Sequence, residues 1–186
     1  MAKIGLKNFR YAFLTETNGT ATYGGAKTPG KAIDCEISVD NNDVKLYADD
    51  AVQESDTSFS GGTVNMTLDR ADYQVQADML GHTYSNGVLT RSSNSVAPYI
   101  GFGRIITLLE DNVKKYKVEI LKKVKMSEPS QTDTTKGETI EFNTVAMTGT
   151  ISTLSDGTWS ISKEFTDYDS AIAFLEEQLG GAIPSV

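Results

Sequence analysis

A mainly β, antiparallel sandwich or barrel with two flanking helices is the fold this sequence predicts. Three observations lead there: apolar residues recur at every second position in most segments, turn-forming residues separate those segments, and only two stretches carry helical spacing. The composition is that of a soluble globular chain, 39% hydrophobic and 23% charged over 186 residues. With no composition break and no internal repeat of fixed period, a single domain spanning 1–186 is expected.

Taken in order, Ile33, Cys35, Ile37 and Val39 alternate with Asp34, Glu36 and Ser38, the pattern of a strand with one buried and one wet face. Val64, Met66 and Leu68 repeat it. Tyr73, Ala77 and Leu80 fall at i, i+4 and i+7, so a short helix is expected, with Asp69 or Asp72 as its cap and Gly81 as its stop. Ile100, Phe102, Ile106 and Leu108 share one parity; after Glu110, Asp111 and Asn112, Tyr116, Val118, Ile120, Val124 and Met126 resume it, which reads as a long hairpin. Gly101 and Gly103 inside that strand point to a bulge or a close backbone approach. Segments 139–154 and 158–165, separated by Ser155, Asp156 and Gly157, read as a second hairpin. Ile172, Leu175 and Leu179 form an apolar stripe, predicting a C-terminal helix over about 167–179 that starts at Thr166 or Asp167, stops at Gly180 and covers one sheet face. Stretches 16–30, 40–55 and 126–137 read as loops.

The opening segment carries Lys3, Lys7 and Arg10 but no apolar run long enough for a signal peptide, and no later segment approaches a membrane span. Synthesis and initial residence in the cytoplasm are therefore expected. The lone Cys35 has no internal disulfide partner.

A formal charge of −8 argues against a protein that grips nucleic acid, because such binding draws on Lys and Arg neutralising phosphates. The charge is also segregated. Asp34, Glu36, Asp40, Asp43, Asp49, Asp50, Glu54 and Asp56 face only Lys45 in their stretch, whereas Lys114, Lys115, Lys117, Lys122, Lys123 and Lys125 face only Glu119. Charge runs most often mark solvated faces; complementary contact patches are the other reading.

Chemistry is sparse. Nucleophilic catalysis needs a base, and the only histidine is His82. Cys35 shares its strand parity with isoleucines, which suits a small core residue better than an exposed thiolate. One Cys and one His do not make a zinc sphere. The spacing of Asp40, Asp43, Asp49 and Asp50 misses the calcium-loop pattern, and Tyr47, Ala48, Asp49 and Asp50 spell a polymerase-like metal motif without the basic groove such an enzyme needs. The expectation is a protein without enzymatic activity, cofactor or metal.

Several short motifs share an order with a known family. Ile4 to Asn8 followed by Tyr11 and Ala12, then Lys45 to Asp50, then Leu80, Gly81 and His82 with Asn86, Gly87 and Val88, then Ala97 and Pro98 before Gly101 to Gly103, and finally Thr135, Lys136 and Gly137 before Glu141 and Phe142 run along the chain. Over roughly residues 3–150 the chain resembles the major tail protein, or tail tube protein, family of long non-contractile-tailed phages of Gram-positive bacteria.

That resemblance implies a β-sandwich flanked by helix, six copies closing into a ring, and rings stacking into a hollow tube that conducts DNA as passing cargo. It implies location in the virion, with no membrane involved. Partners would be other copies of the chain and the tape measure, tail terminator and distal tail proteins. It also implies a long loop between early strands that reaches the neighbouring ring, and 40–55 is the segment placed to supply it. Asp40, Asp43, Tyr47, Asp49, Asp50 and Glu54 on that segment, and the six lysines of 114–125, are the candidate inter-subunit contacts. Two other readings stay open: a carbohydrate- or receptor-binding β-sandwich, and the tube protein of a contractile tail-like machine.

Overall fold

Alternating β-branched and aromatic residues build ten strands and helical spacing builds two helices in the computed structural model, which describes residues 2–48, 51–129 and 144–181. In chain order they are β1 (Ala2–Thr17), β2 (Thr20–Tyr23), β3 (Ala32–Ala48), β4 (Ala51–Leu68), α1 (Tyr73–Leu80), β5 (Thr83–Ser85), β6 (Val88–Thr90), β7 (Tyr99–Glu110), β8 (Val113–Ser127), β9 (Val145–Ser152), β10 (Ser160–Phe165) and α2 (Tyr168–Gln178). One antiparallel sheet runs β2-β1-β7-β8-β9-β4-β3, with β10 also beside β8. Folding over on itself, it encloses Phe9, Tyr11, Val64, Met66, Phe102, Leu121, Val124 and Met147, and α1 adds Val75, Met79 and Leu80 to this core. The architecture is a β-sandwich with flanking helices.

The long hairpin forms as the alternation predicts, its two-residue turn at Asp111 and Asn112 held at φ of 49° and 62°. β7 is buried on both faces because it has a layer on each side. Phe102 meets Phe9 edge-on at 5.2 Å inside the sandwich. On the outer face, α2 lays Ala171, Leu175 and Leu179 against Ala12, Ile105, Val118 and Ile120. A Cβ built on Gly103 would stand 2.3 Å from Leu175, so the missing side chain is what lets the helix approach. Both leucines are fully buried, and such burial contributes about 1.5–3 kcal/mol each. A register shift between Ile100 and Phe102 accompanies this approach.

Both helices form where the spacing places them. Asp167 caps α2, accepting from the Ser170 amide at 2.8 Å, and the contact holds its carboxyl below the ordinary range. Gly181 and Gly180 close the other end. In α1 the N-cap position belongs to Asp72, whose side chain makes no capping bond. Asp69 instead accepts from the Lys31 and Arg70 amides, both at 2.8 Å, tying the end of β4 to the start of β3.

Four sequence expectations change. Residues 16–30 are not one loop: Asn18 and Gly19, at φ of 52° and 79°, turn β1 into β2. Residues 40–48 and 51–55 are strand, since the β3–β4 ladder continues through Asp43↔Thr57 and Lys45↔Ser55 to Ala48↔Ala51, with 49 and 50 outside the described residues. Of the loop expected at 126–137, Met126 and Ser127 end β8, and 130–137 lie outside the described residues. The second hairpin does not form. β9 and β10 both pair antiparallel to β8, in series along one edge, and the turn at Leu154 to Thr158 is a detour between them. β8 supplies a ladder partner to each strand, and β4 takes the other side of β9. The 139–143 part of that expected hairpin is outside the described residues.

The alternation in β3 also needs amending. Cys35 and Ile37 pack on the core, but Ile33 is 51% and Val39 38% exposed, because the ends of this edge strand overhang it.

Replacing Gly103 with valine is expected to destabilise the fold by about 1–3 kcal/mol, the usual cost of overpacking. Denaturant unfolding of the variant checks it.

Candidate assembly interface

Local sequence decides where the acidic hairpin leaves the sheet. β4 pairs with β9 only from Gly62 to Leu68. Beyond that, among the described residues, the strands from Asn41 to Ala48 and from Ala51 to Phe59 pair only with each other. At this boundary the register slips at Ser60, whose hydroxyl donates to the Asp40 carbonyl at 3.0 Å. A bulge of this kind bends and twists the strand that carries it. Phe59 stacks flat on Trp159, centroids 4.7 Å apart and planes 4° apart, anchoring the root to the body. Eight strand residues from Asn41 to Ala48 make an arm of about 26 Å at ~3.3 Å per residue.

Of the acidic candidates, Asp40 is exposed at that root. Asp43, Tyr47 and Glu54 lie on the arm's strands, opposite Thr57, Val52 and Leu46. Asp49 and Asp50 are outside the described residues.

The six lysines of β8 are not brought to one surface. Successive strand residues point to opposite faces, and five of the six have local partners. Lys114 is exposed near the β7–β8 turn. Lys115 meets Glu110 at 2.5 Å, Lys117 lies 3.8 Å from Glu119, and Lys123 meets Glu16 at 2.8 Å. Lys125 sits 5.6 Å from the centre of the Tyr99 ring. Lys122 is buried, its Nζ donating to Gln178 Oε1 at 3.2 Å beneath the Tyr23 ring, and burial pushes its pKa down. A single basic patch is thus replaced by local pairs and one interior cation.

What the sequence did not reveal is a groove between the facing edges of the curled sheet. A cleft of about 610 Å³ lies between β1 at Lys3, Gly5 and Leu6 and β3 at Ile33 to Ile37, with Arg104 and Ile106 on its floor. A further 250 Å³ continues it past Lys7, Asn8 and Arg10 to Gly30, Lys31 and Ala32. Arg104 straps the floor: Nη2 and Nε reach Glu119 Oε2 at 2.6 and 3.0 Å, and Nη1 donates to the Cys35 carbonyl at 2.8 Å. The Cys35 thiol is half-buried in this wall, and burial raises its pKa.

His82 lies in the short connection between α1 and β5. Its side chain is 4% exposed with Nε2 on Glu128, and Nδ1 has no partner among the described residues. Cys35 and His82 therefore have different neighbours. Among the described residues no three His, Cys, Asp or Glu side chains cluster to hold a metal ion, and no helix is long and apolar enough to cross a membrane.

Glu16 shows how one carboxylate ties distant segments. It accepts from Lys123 at 2.8 Å, from the Ser155 amide at 2.7 Å and from the Ser155 hydroxyl, which together lower its pKa to about 2. Between that value and the ordinary 4.5 the unfolded chain holds a proton that the folded one does not. Its stabilisation is complete above the unfolded pKa and is lost as pH falls toward 2. Glu16→Gln is expected to lower the melting temperature at pH 7 and to match the parent near pH 2, as thermal melts across that range will read. Compared with known proteins, the chain matches no family model and no curated protein.

Proposed function

We propose that this chain is the major tail protein of a long non-contractile phage tail, a virion component whose copies close into six-membered rings stacked as a hollow tube for DNA. The observation that carries the reading is the arm. A self-paired hairpin of about 26 Å leaves the sandwich in the segment, 40–55, where the family resemblance implies a loop reaching the next ring. An extension bonded, among the described residues, only to itself adds little to the monomer's core, so its use lies between molecules. The sandwich with its flanking helix is the architecture the resemblance implies, and the ordered motifs over 3–150 point the same way. Tape measure, tail terminator and distal tail proteins are the other partners of this reading, and the subunit performs no reaction.

A carbohydrate- or receptor-binding sandwich would need an exposed aromatic platform. Among the described residues the strongly exposed aromatics are Tyr73, Tyr84 and Tyr99. The first two meet at a tilt of 53°, and Tyr99 lies beneath Lys123 and Lys125. None of these makes a flat stacking surface.

Negative-stain microscopy of the concentrated protein is expected to show tubes or six-membered rings. A monomer at every concentration, even with tail-tip initiators present, would overturn the reading. Replacing residues 42–58 with an Asn-Gly turn is expected to leave cooperative melting within a few degrees of the parent, because the arm pairs only with itself, while abolishing tubes; tube formation without the arm would remove it from the interface.

A further inference from the structure

We infer that the groove between β1 and β3 is the acceptor for the acidic β3–β4 arm of a second copy of this chain. The inference rests on the tube reading only in taking another copy as the occupant, and it names the surface the arm would meet.

Backbone supply comes first. Among the described residues, β1 pairs from Ala2 to Arg10 only with β7, and β3 only with β4, so two edges without a described partner face each other across the groove. Unpaired edges are templates for strand addition. The groove's lips are also apolar where they meet water: Ile4 is 50% exposed on one edge and Ile33 51% on the other. The arm brings unpaired strand edges of its own, since its outer backbone faces no other described strand.

Charge selects the occupant. Lys3, Lys7 and Lys31 line the groove against Asp34 and Glu36, Arg10 being already committed to Glu176 and Arg104 to Glu119. A cationic surplus on a chain of net charge −8 calls for an anionic partner. From Asp40 to Asp56 the sequence holds six carboxylates and one lysine. The lysines of β8, held by local partners, offer the arm no comparable surface.

Direction makes the contact intermolecular. The arm prolongs β3 beyond Asp40, away from the Ile33 to Ile37 wall, so it does not reach its own groove without unzipping the β3–β4 ladder. Arm into groove is therefore heterologous, one surface meeting a different surface on the next copy, and such contacts propagate along an axis.

Charge exchange tests this. Lys3→Glu, Lys7→Glu and Lys31→Glu together, all at exposed positions, are expected to raise the concentration needed for assembly by about tenfold or more. Adding Asp40→Lys, Asp43→Lys and Glu54→Lys to the same chain is expected to restore it, with unchanged melting showing that each variant folds. In a Cys35→Ser background, oxidising a mixture of Ile33→Cys and Thr57→Cys chains is expected to give the mixed disulfide in preference to either homodimer. Assembly of the groove-reversed chain at the parental concentration, loss without rescue by the arm reversal, or predominance of groove-to-groove disulfides would overturn the pairing. Tubes that form normally from the groove-reversed chain would sink this inference and leave the tube reading standing. Mixed disulfides in a protein that never forms rings or tubes would do the opposite.

Discussion

The packing of α2 on the glycine face of β7 is the constraint on which the other layers depend. β7 is buried on both sides, with Phe102 and Ile106 turned inward and Gly101, Gly103 and Ile105 turned toward the helix. A strand in that position needs two apolar layers, and the curled sheet and α2 provide them. With the helix seated, Arg10 meets Glu176 at 3.4 Å, Asn8 donates to the Tyr168 hydroxyl at 2.9 Å, and Lys122 is enclosed beside Gln178. The first two contacts hold β1 in place, and β1 is one wall of the groove.

Inside the curl, Arg104 continues the same strand face as Phe102 but brings a charge into the interior. A buried charge is tolerated when it is paired and hydrogen-bonded. Glu119 answers it from β8, and the Cys35 carbonyl accepts from Nη1. The carbonyl belongs to an edge strand, so one guanidinium both neutralises itself and fixes the separation between the sheet body and β3. The groove stays open because a side chain, and no strand, bridges β7 to β3 at this point.

Charge segregation in the sequence takes on a different meaning once the strands are placed. Of the acidic stretch, Asp34 and Glu36 line the groove while Asp43, Glu54 and Asp56 belong to the strands of the arm, whereas the basic run of β8 is divided between two faces and neutralised locally by Glu110, Glu119 and Glu16. The cations that do gather on one surface, unpaired among the described residues, come from residues 3–7 and 31, which are separated in sequence and adjacent only because the sheet curls.

By itself the sequence determined the fold class, the β7–β8 hairpin, both helices with their stops, and the close approach at Gly101 and Gly103. Each rests on a local pattern, a period of two or 3.6 ending in a turn or cap residue, that neighbouring residues suffice to express. The arm escaped that reading because period-two hydrophobicity reports a buried face, and a hairpin paired only with itself has no adjoining core to impose one. In the same way, Asn18 and Gly19 carried a hairpin signal that a Gly- and Thr-rich context obscured. The serial pairing of β9 and β10 along β8, the burial of Lys122 and His82, and the groove between β1 and β3 were decided by tertiary structure alone. All three depend on which strands the curled sheet brings side by side, and that choice is made by long-range backbone pairing and core packing, which no local spacing encodes.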